Sequence, residues 1–296
     1  MKTNSKGKNK AKEVLNDIGF DEVTKLKNSD LVSGFGILFI SEPLKNADGK
    51  IIRGKTKTII KVNSLIPYPQ RIRYVVAHEL GHYFLHEKLE IHTDDSKTLN
   101  WFKVEDQAKR GLQEFEANDF ASELLMPETV FRKFIEYKSF SPPLIKEISN
   151  RFQTSLTSVV YRLITLDVFP LLVVFISDGV VLYWRKSPDL KGWLKDMTKL
   201  SPPEDSVAKE YIDANYDFIY KGDEKAQEIY RSTWFKLYEN QEDSDFMEYC
   251  IPTKQYKTII FHQVKKKRRL LFYFKNLNQL KATMNLKIPV FSFQLF

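Results

Sequence analysis

The chain reads as an α+β protein built in two parts that divide near residue 168. Three observations predict this. One is a helical stretch from near Gln70, apolar almost all round, that nevertheless carries His78, Glu79 and His82. Another is a long amphipathic pattern from Glu105 to Leu125, stopped by Pro127. The third is a change of character after Pro170. There Leu171–Ile176 and Val180–Trp184 flank Ser177-Asp178-Gly179, the pattern of a β-hairpin. With 296 residues, 43% hydrophobic and 14% aromatic, the chain has apolar mass enough for substantial cores, which excludes a globally disordered polymer.

Residues 1–12 hold five lysines and no acid, and read as a flexible basic tail. Residues 13–168 form the first domain. A short helix over Ala11–Ile18 closes at Gly19. Gly34–Ile40 and Thr56–Val62 read as strands by alternation and β-branching, with turn chemistry at Asn46-Ala47-Asp48-Gly49-Lys50 between them. Pro67 and Pro69 end the second strand and introduce the long helix. Residues 87–104 are polar and mixed, a loop placed to carry or cover a ligand. Pro142-Pro143 precedes a helical pair over residues 144–165, with Gln153-Thr154-Ser155 as its turn. That spacing suits a helix–turn–helix DNA reader, yet its polar residues make no clear recognition face, so two packed structural helices are the preferred reading. Residues 169–296 form a small α+β domain. After the hairpin come helical stretches near 205–220 and 223–238, then a second hairpin from Thr258–Val264 to Leu270–Phe274.

The net charge of +8 is concentrated at the two ends. Residues 251–296 carry ten Lys or Arg and no acid, and Lys265, Lys266, Lys267, Arg268 and Arg269 fall at the second hairpin's turn beside Phe261, Phe272, Tyr273 and Phe274. Cations beside aromatic strands can hold nucleic acid through phosphate contacts and base stacking. A solvated turn over an aromatic core accounts for the same residues, and both readings stay open. A lone cysteine, Cys250, cannot form an internal disulfide, which fits a reducing compartment. The N-terminus lacks the apolar core of a secretory signal, and no run of about 18 apolar residues suggests a membrane span. A cytoplasmic protein without a membrane partner is expected.

The chemistry concentrates in His78-Glu79-Leu80-Gly81-His82. Positions i and i+4 of a helix lie on one face, about 6 Å apart along the axis, so two imidazoles can share one tetrahedral ion. A glutamate beside the first histidine can deprotonate a water activated by that ion. The pattern is the zinc-peptidase signature, and its burial strengthens it, because buried polar groups must find partners.

A catalytic zinc needs a third protein ligand. His86 lies two turns beyond His78, about 12 Å along the axis, too far to share one ion, and reads as a helix-end or outer partner. His92 and His262 have no motif around them. Glu114 and Asn118 fall on one flank of the stripe Ala117, Phe120, Ala121, Leu124 and Leu125. Glu114 can serve as a ligand, with Asn118 orienting a ligand histidine. Glu116 points about 160° away from Glu114, so only one of the two is expected to face the metal helix. Both would otherwise be surface charges.

His78 to His86, followed by Glu114-x-x-Ala117-Asn118-x-Phe120-Ala121-x-x-Leu124-Leu125-Met126-Pro127, resembles the ImmA/IrrE family of metallo-endopeptidases over roughly residues 20–165. The resemblance implies a zincin-like metallopeptidase domain with a helix–turn–helix-like extension. It implies one Zn²⁺ per chain on His78, His82 and Glu114, with Glu79 as general base. It also implies a protein substrate, a DNA-binding repressor whose cleavage relieves repression in a stress response or a mobile element. Residues 169–296 match no accessory domain of that family and stand as a sensory candidate. Two other functions compete. One is a DNA-sensing or regulator-binding protein on a peptidase fold, and the other a protease effector of a toxin–antitoxin or phage-defence system.

Overall fold

A three-stranded sheet floors the candidate site. It comprises β1 (Leu38–Glu42), β2 (Gly49–Arg53) and β3 (Thr58–Asn63), ordered β1-β3-β2. A computed structural model of the chain describes residues 5–22, 27–87, 104–215, 225–251 and 258–264. β1 runs parallel to β3, and β2 runs antiparallel to it. The expected turn at 46–50 is shorter than the sequence suggested, because Gly49 and Lys50 already pair with Val62 and Lys61. Ile51, Ile60 and Val62 are buried. They pack in one core with Val75, Val76 and Leu80 of α3 (Pro69–Leu85). Pro69 opens α3 at the one place where a missing N–H costs nothing.

Three more helices complete this core: α1 (Lys6–Asp17), α2 (Asn28–Ser33) and α4 (Val104–Leu125). Helix α1 corrects the expectation of a flexible tail over residues 6–12; residues 1–4 lie outside the described ones. It begins at Lys6, with the Ser5 side chain accepting from the Lys8 backbone N–H. Gly7, Ala11 and Val14 make a buried stripe at helical spacing, and this stripe was hidden in the sequence by the lysines around it. Helix α4 is also not the unbroken element expected. Gly111 adopts φ 82° and ψ 158°, which no helix accommodates, and splits it.

A second core joins Met126, just after α4, to α5 (Glu128–Ile135), α6 (Pro142–Phe152), α7 (Leu156–Thr165) and a five-stranded sheet. The strands are β4 (Leu171–Ser177), β5 (Val180–Lys186), β7 (Lys225–Tyr230), β9 (Asp245–Ile251) and β10 (Thr258–Val264), ordered β5-β4-β10-β9-β7. The β4–β5 hairpin turns at Asp178-Gly179, both at positive φ as the dipeptide suggested. The two-residue strands β6 (Trp193–Leu194) and β8 (Phe235–Lys236) pair at the side. Apolar packing runs without a break across residue 168, since Leu163 and Leu166 share a core with Leu171, Val173 and Phe175.

Two helices expected in this half are corrected. The first, α8, is confined to Val207–Asp213. The helix over 223–238 is replaced by β7, a 3₁₀ turn at Arg231–Thr233 and β8. Burial in β7 alternates, with Gln227 and Ile229 more enclosed than Ala226, Glu228 and Tyr230. An edge strand with polar residues on its outer face loses the apolar signature that identifies strands in sequence. In the 144–165 pair, Val159–Leu163 of α7 are buried and Thr165 alone of its ten residues is exposed. Strand β10 pairs antiparallel with β4. Leu270–Phe274 and the basic cluster Lys265–Arg269 lie outside the described residues, as does most of the loop expected at 87–104. Among the described residues, no helix is long and apolar enough to cross a membrane.

Candidate metal centre

Close helix crossing creates the site. A Cβ on Gly81 would lie 2.8 Å from the Ala117 Cα and 2.9 Å from its carbonyl oxygen. Only glycine at 81 facing a small residue at 117 lets α3 and α4 approach backbone to backbone. That approach brings Glu114 to the two histidines. His78 Nε2 lies 3.2 Å from Glu114 Oε2, and His82 Nε2 lies 3.1 Å from Glu114 Oε1. The two Nε2 atoms are 3.1 Å apart. Ligand atoms of all three residues fall within 4.8 Å of one another, and all three residues are buried.

Outer partners select the tautomers. Tyr74 donates its hydroxyl proton to Asn118 Oδ1 at 2.8 Å, and the same oxygen lies 3.1 Å from His78 Nδ1. An amide oxygen only accepts, so His78 carries its proton on Nδ1 and a lone pair on Nε2. His82 Nδ1 faces His86 Nδ1 at 3.0 Å. His86 Nε2 in turn lies 3.0 Å from Glu116 Oε2. A proton on His86 Nε2 leaves its Nδ1 as an acceptor for His82, which again places a lone pair on Nε2. Two lone pairs and a carboxylate therefore converge in the interior. Such a set is unfavourable by itself and suits a cation well. The residues fit a divalent metal, with two nitrogens and one oxygen of the type that binds zinc.

Electrostatics agree. Burial pushes the Glu114 carboxyl up, but in the metal-free protein protonated His78 and His82 imidazoles outweigh it and hold it well below the usual carboxylate range; a cation on the two Nε2 lone pairs would take the place of those protons. Burial pushes the His86 imidazole down, against the raising influence of Glu116. Both shifts keep the set in the protonation states that metal binding needs. Glu79, one residue after His78, is buried on the same helix.

Comparison with known proteins agrees with this geometry. Residues 32–164 match the family model described as the IrrE N-terminal-like domain of peptidase family M78. This segment is similar to an IrrE N-terminal-like domain. The chain is also 32% identical over 105 residues to the metallopeptidase ImmA of Bacillus subtilis (strain 168). That alignment covers 34% of this chain and 54% of the relative, so the chain spans about half the relative's length. A Mycobacterium tuberculosis transcriptional regulator shares the fold with a TM-score of 0.53 at 12% identity, over 96% of this chain and 93% of that one.

Within the matched segment, the structure brings together His78, His82, Glu114 and Asn118. Glu114 alone of the two glutamates meets the metal-helix histidines. Glu116 is buried against His86, which leaves the helix at φ −128° and ψ 110° and reaches round to it. Two further residues were missed. One is Tyr74, one turn before His78, where its spacing is the available signal. The other is Arg53, at the end of β2. Its guanidinium donates to the carbonyls of His82, Tyr83 and His86 at 3.0, 2.9 and 2.7 Å. A cation there satisfies the last carbonyls of α3 and complements its dipole. No sequence spacing connects residue 53 to residue 82.

Proposed function

We infer that this chain is a metal-dependent endopeptidase in which His78, His82 and Glu114 hold one Zn²⁺ and Glu79 is the general base. The observation that carries the reading is the convergence of two imidazole lone pairs and a carboxylate on the same buried turn that presents Glu79. A zinc ion there would supply Lewis acidity toward the scissile carbonyl and lower the pKa of a nucleophilic water. Glu79 takes the proton of the attacking water and returns it to the leaving amine. Asn118 and Tyr74 hold His78 in the required tautomer, and Arg53 fixes the end of the helix that carries His82.

The substrate we propose is a protein, specifically a helix–turn–helix repressor, supported by the likeness to the ImmA/IrrE peptidases. Residues beyond the matched domain would then receive the activating signal. The test is capture on a Glu79→Gln variant, which keeps size and hydrogen bonding but removes the base, followed by incubation of the captured protein with wild type. We expect the variant to bind metal and partner without cleaving. Cleavage by Glu79→Gln at the wild-type rate would remove the general-base assignment. Capture and cleavage of a protein that binds no DNA would favour a defence or toxin–antitoxin effector.

A further inference from the structure

The geometry points to Glu116 as a positioning residue for metal binding, acting through His86 on His82 and braced from outside by helix α1. This rests on the metal-site reading above and adds residues that never touch the ion.

The argument begins with proton counting. For His82 to present a lone pair at Nε2, its proton must sit on Nδ1. That proton needs an acceptor, and the atom facing it is His86 Nδ1 at 3.0 Å. His86 Nδ1 accepts only if its own proton is on Nε2. The Glu116 carboxylate, 3.0 Å from Nε2, stabilises that tautomer. Without the carboxylate, His86 is free to place its proton on Nδ1 and donate to His82, which moves the His82 proton to Nε2. That nitrogen is then blocked toward the ion. Glu116 therefore sets a tautomer two residues away, by a chain of hydrogen bonds in which each direction is forced by the next.

Helix α1 braces the outer end. Lys6 Nζ lies 3.4 Å from Glu116 Oε2. Gly7 sits so close to α4 that a Cβ there would lie 2.0 Å from the Glu116 carbonyl oxygen. Residues 6 and 7 precede the matched domain, so this brace comes from outside it. His86 and Glu116 also line a cavity of about 560 Å³ with Lys6, Leu112 and Gln113. Its open space lets an apolar side chain replace Glu116 without overpacking.

The test is titration of metal-free protein with Co²⁺, followed by its visible absorption, with Zn²⁺ affinity from chelator competition. Apo melting temperatures are measured in parallel. Glu116→Leu and His86→Leu should weaken Co²⁺ and Zn²⁺ binding by about 10–100-fold, the usual effect of losing an outer partner. Glu116→Gln keeps an acceptor for His86 Nε2, and His86→Asn keeps an acceptor oxygen near the Nδ1 position; both should recover most of the affinity. Lys6→Met should change affinity by no more than about twofold, because its ammonium is largely exposed and screened. Leu variants that bind within threefold of a tightly binding wild type would overturn the inference while leaving the metal reading intact. A wild type that binds neither ion would sink both. If Glu116→Leu fails to fold, the contrast between His86→Leu and His86→Asn decides alone, and equal affinities in that pair would reject the relay.

Discussion

Helix α4 buries three glutamates, and two of them, Glu114 and Glu123, have opposite surroundings. Glu123, near its C-terminal end, meets the Arg162 guanidinium at 2.5 Å and accepts from the Glu128 backbone N–H at 3.0 Å. Arg162 also donates to the Met126 carbonyl at 2.7 Å. Charge is matched by charge, and the group ties α4 to α5 and α7. Glu114, toward the other end, meets two imidazoles whose tautomers point lone pairs at it. Another buried carboxylate, Glu248 on β9, takes a middle course. Its partners are the neutral donors Trp234 Nε1 at 3.2 Å and the Ala208 N–H at 3.0 Å. Burial is common to all three. The partners separate a structural ion pair, a shifted acid and a site prepared for a cation.

The contrast can be broken most forcefully at the ion pair. Arg162→Met leaves Glu123 buried without its cation and should cost about 3–5 kcal/mol in urea unfolding of the metal-free protein. The loss should be the same with zinc present, once zinc's own stabilisation is subtracted. A cost below about 1 kcal/mol, the size of an exposed pair, would show that Glu123 does not depend on Arg162.

Next in size is the pH response of Glu248, whose pKa burial raises from 4.5 to about 7 against the pull of its hydrogen bonds. The folded state thus keeps a proton that the unfolded chain has released. This stabilisation is complete below pH 4.5 and is lost as pH rises through about 7. The full window amounts to on the order of 3 kcal/mol. Stability measured at pH 5 and pH 8 should fall by more in wild type than in Glu248→Gln. Equal slopes in the two proteins would mean that Glu248 is ionised throughout.

Zinc itself should stabilise the wild type by about 2.7 kcal/mol at a free concentration one hundred times its Kd. Glu114→Ala should lose that gain while Arg162→Met keeps it, and a melting series with and without zinc reads both. Zinc stabilisation that survives in Glu114→Ala would assign the third ligand elsewhere. The smallest effect is expected at the helix crossing. Gly81→Ala forces α3 from α4 at a cost of about 1–3 kcal/mol and should weaken metal binding by separating Glu114 from the histidines. Unchanged affinity in that variant would show that the approach of the two backbones is not what forms the site.

Much of the site was legible because its residues follow local periods. His78 and His82 share a face by spacing alone, and Glu114 and Asn118 repeat that spacing on the second helix. The β4–β5 hairpin was legible because Asp-Gly supplies positive φ at a tight turn. Polar edge strands and lysine-rich helices were not. β7 was read as part of a helix and the first turns of α1 as a tail, since what they bury is small beside what they expose.

By itself the sequence determined that an imidazole pair and a carboxylate on two helices could form one site, because helical spacing is set by backbone geometry and does not depend on the rest of the fold. Only the tertiary structure decided which tautomers those imidazoles hold, that Glu116 and Arg53 serve the same helix, and that Arg162 is spent on an internal pair. Those outcomes depend on which groups meet across elements far apart in the chain. A hydrogen bond's direction is fixed by its partner, and the partner is chosen by packing.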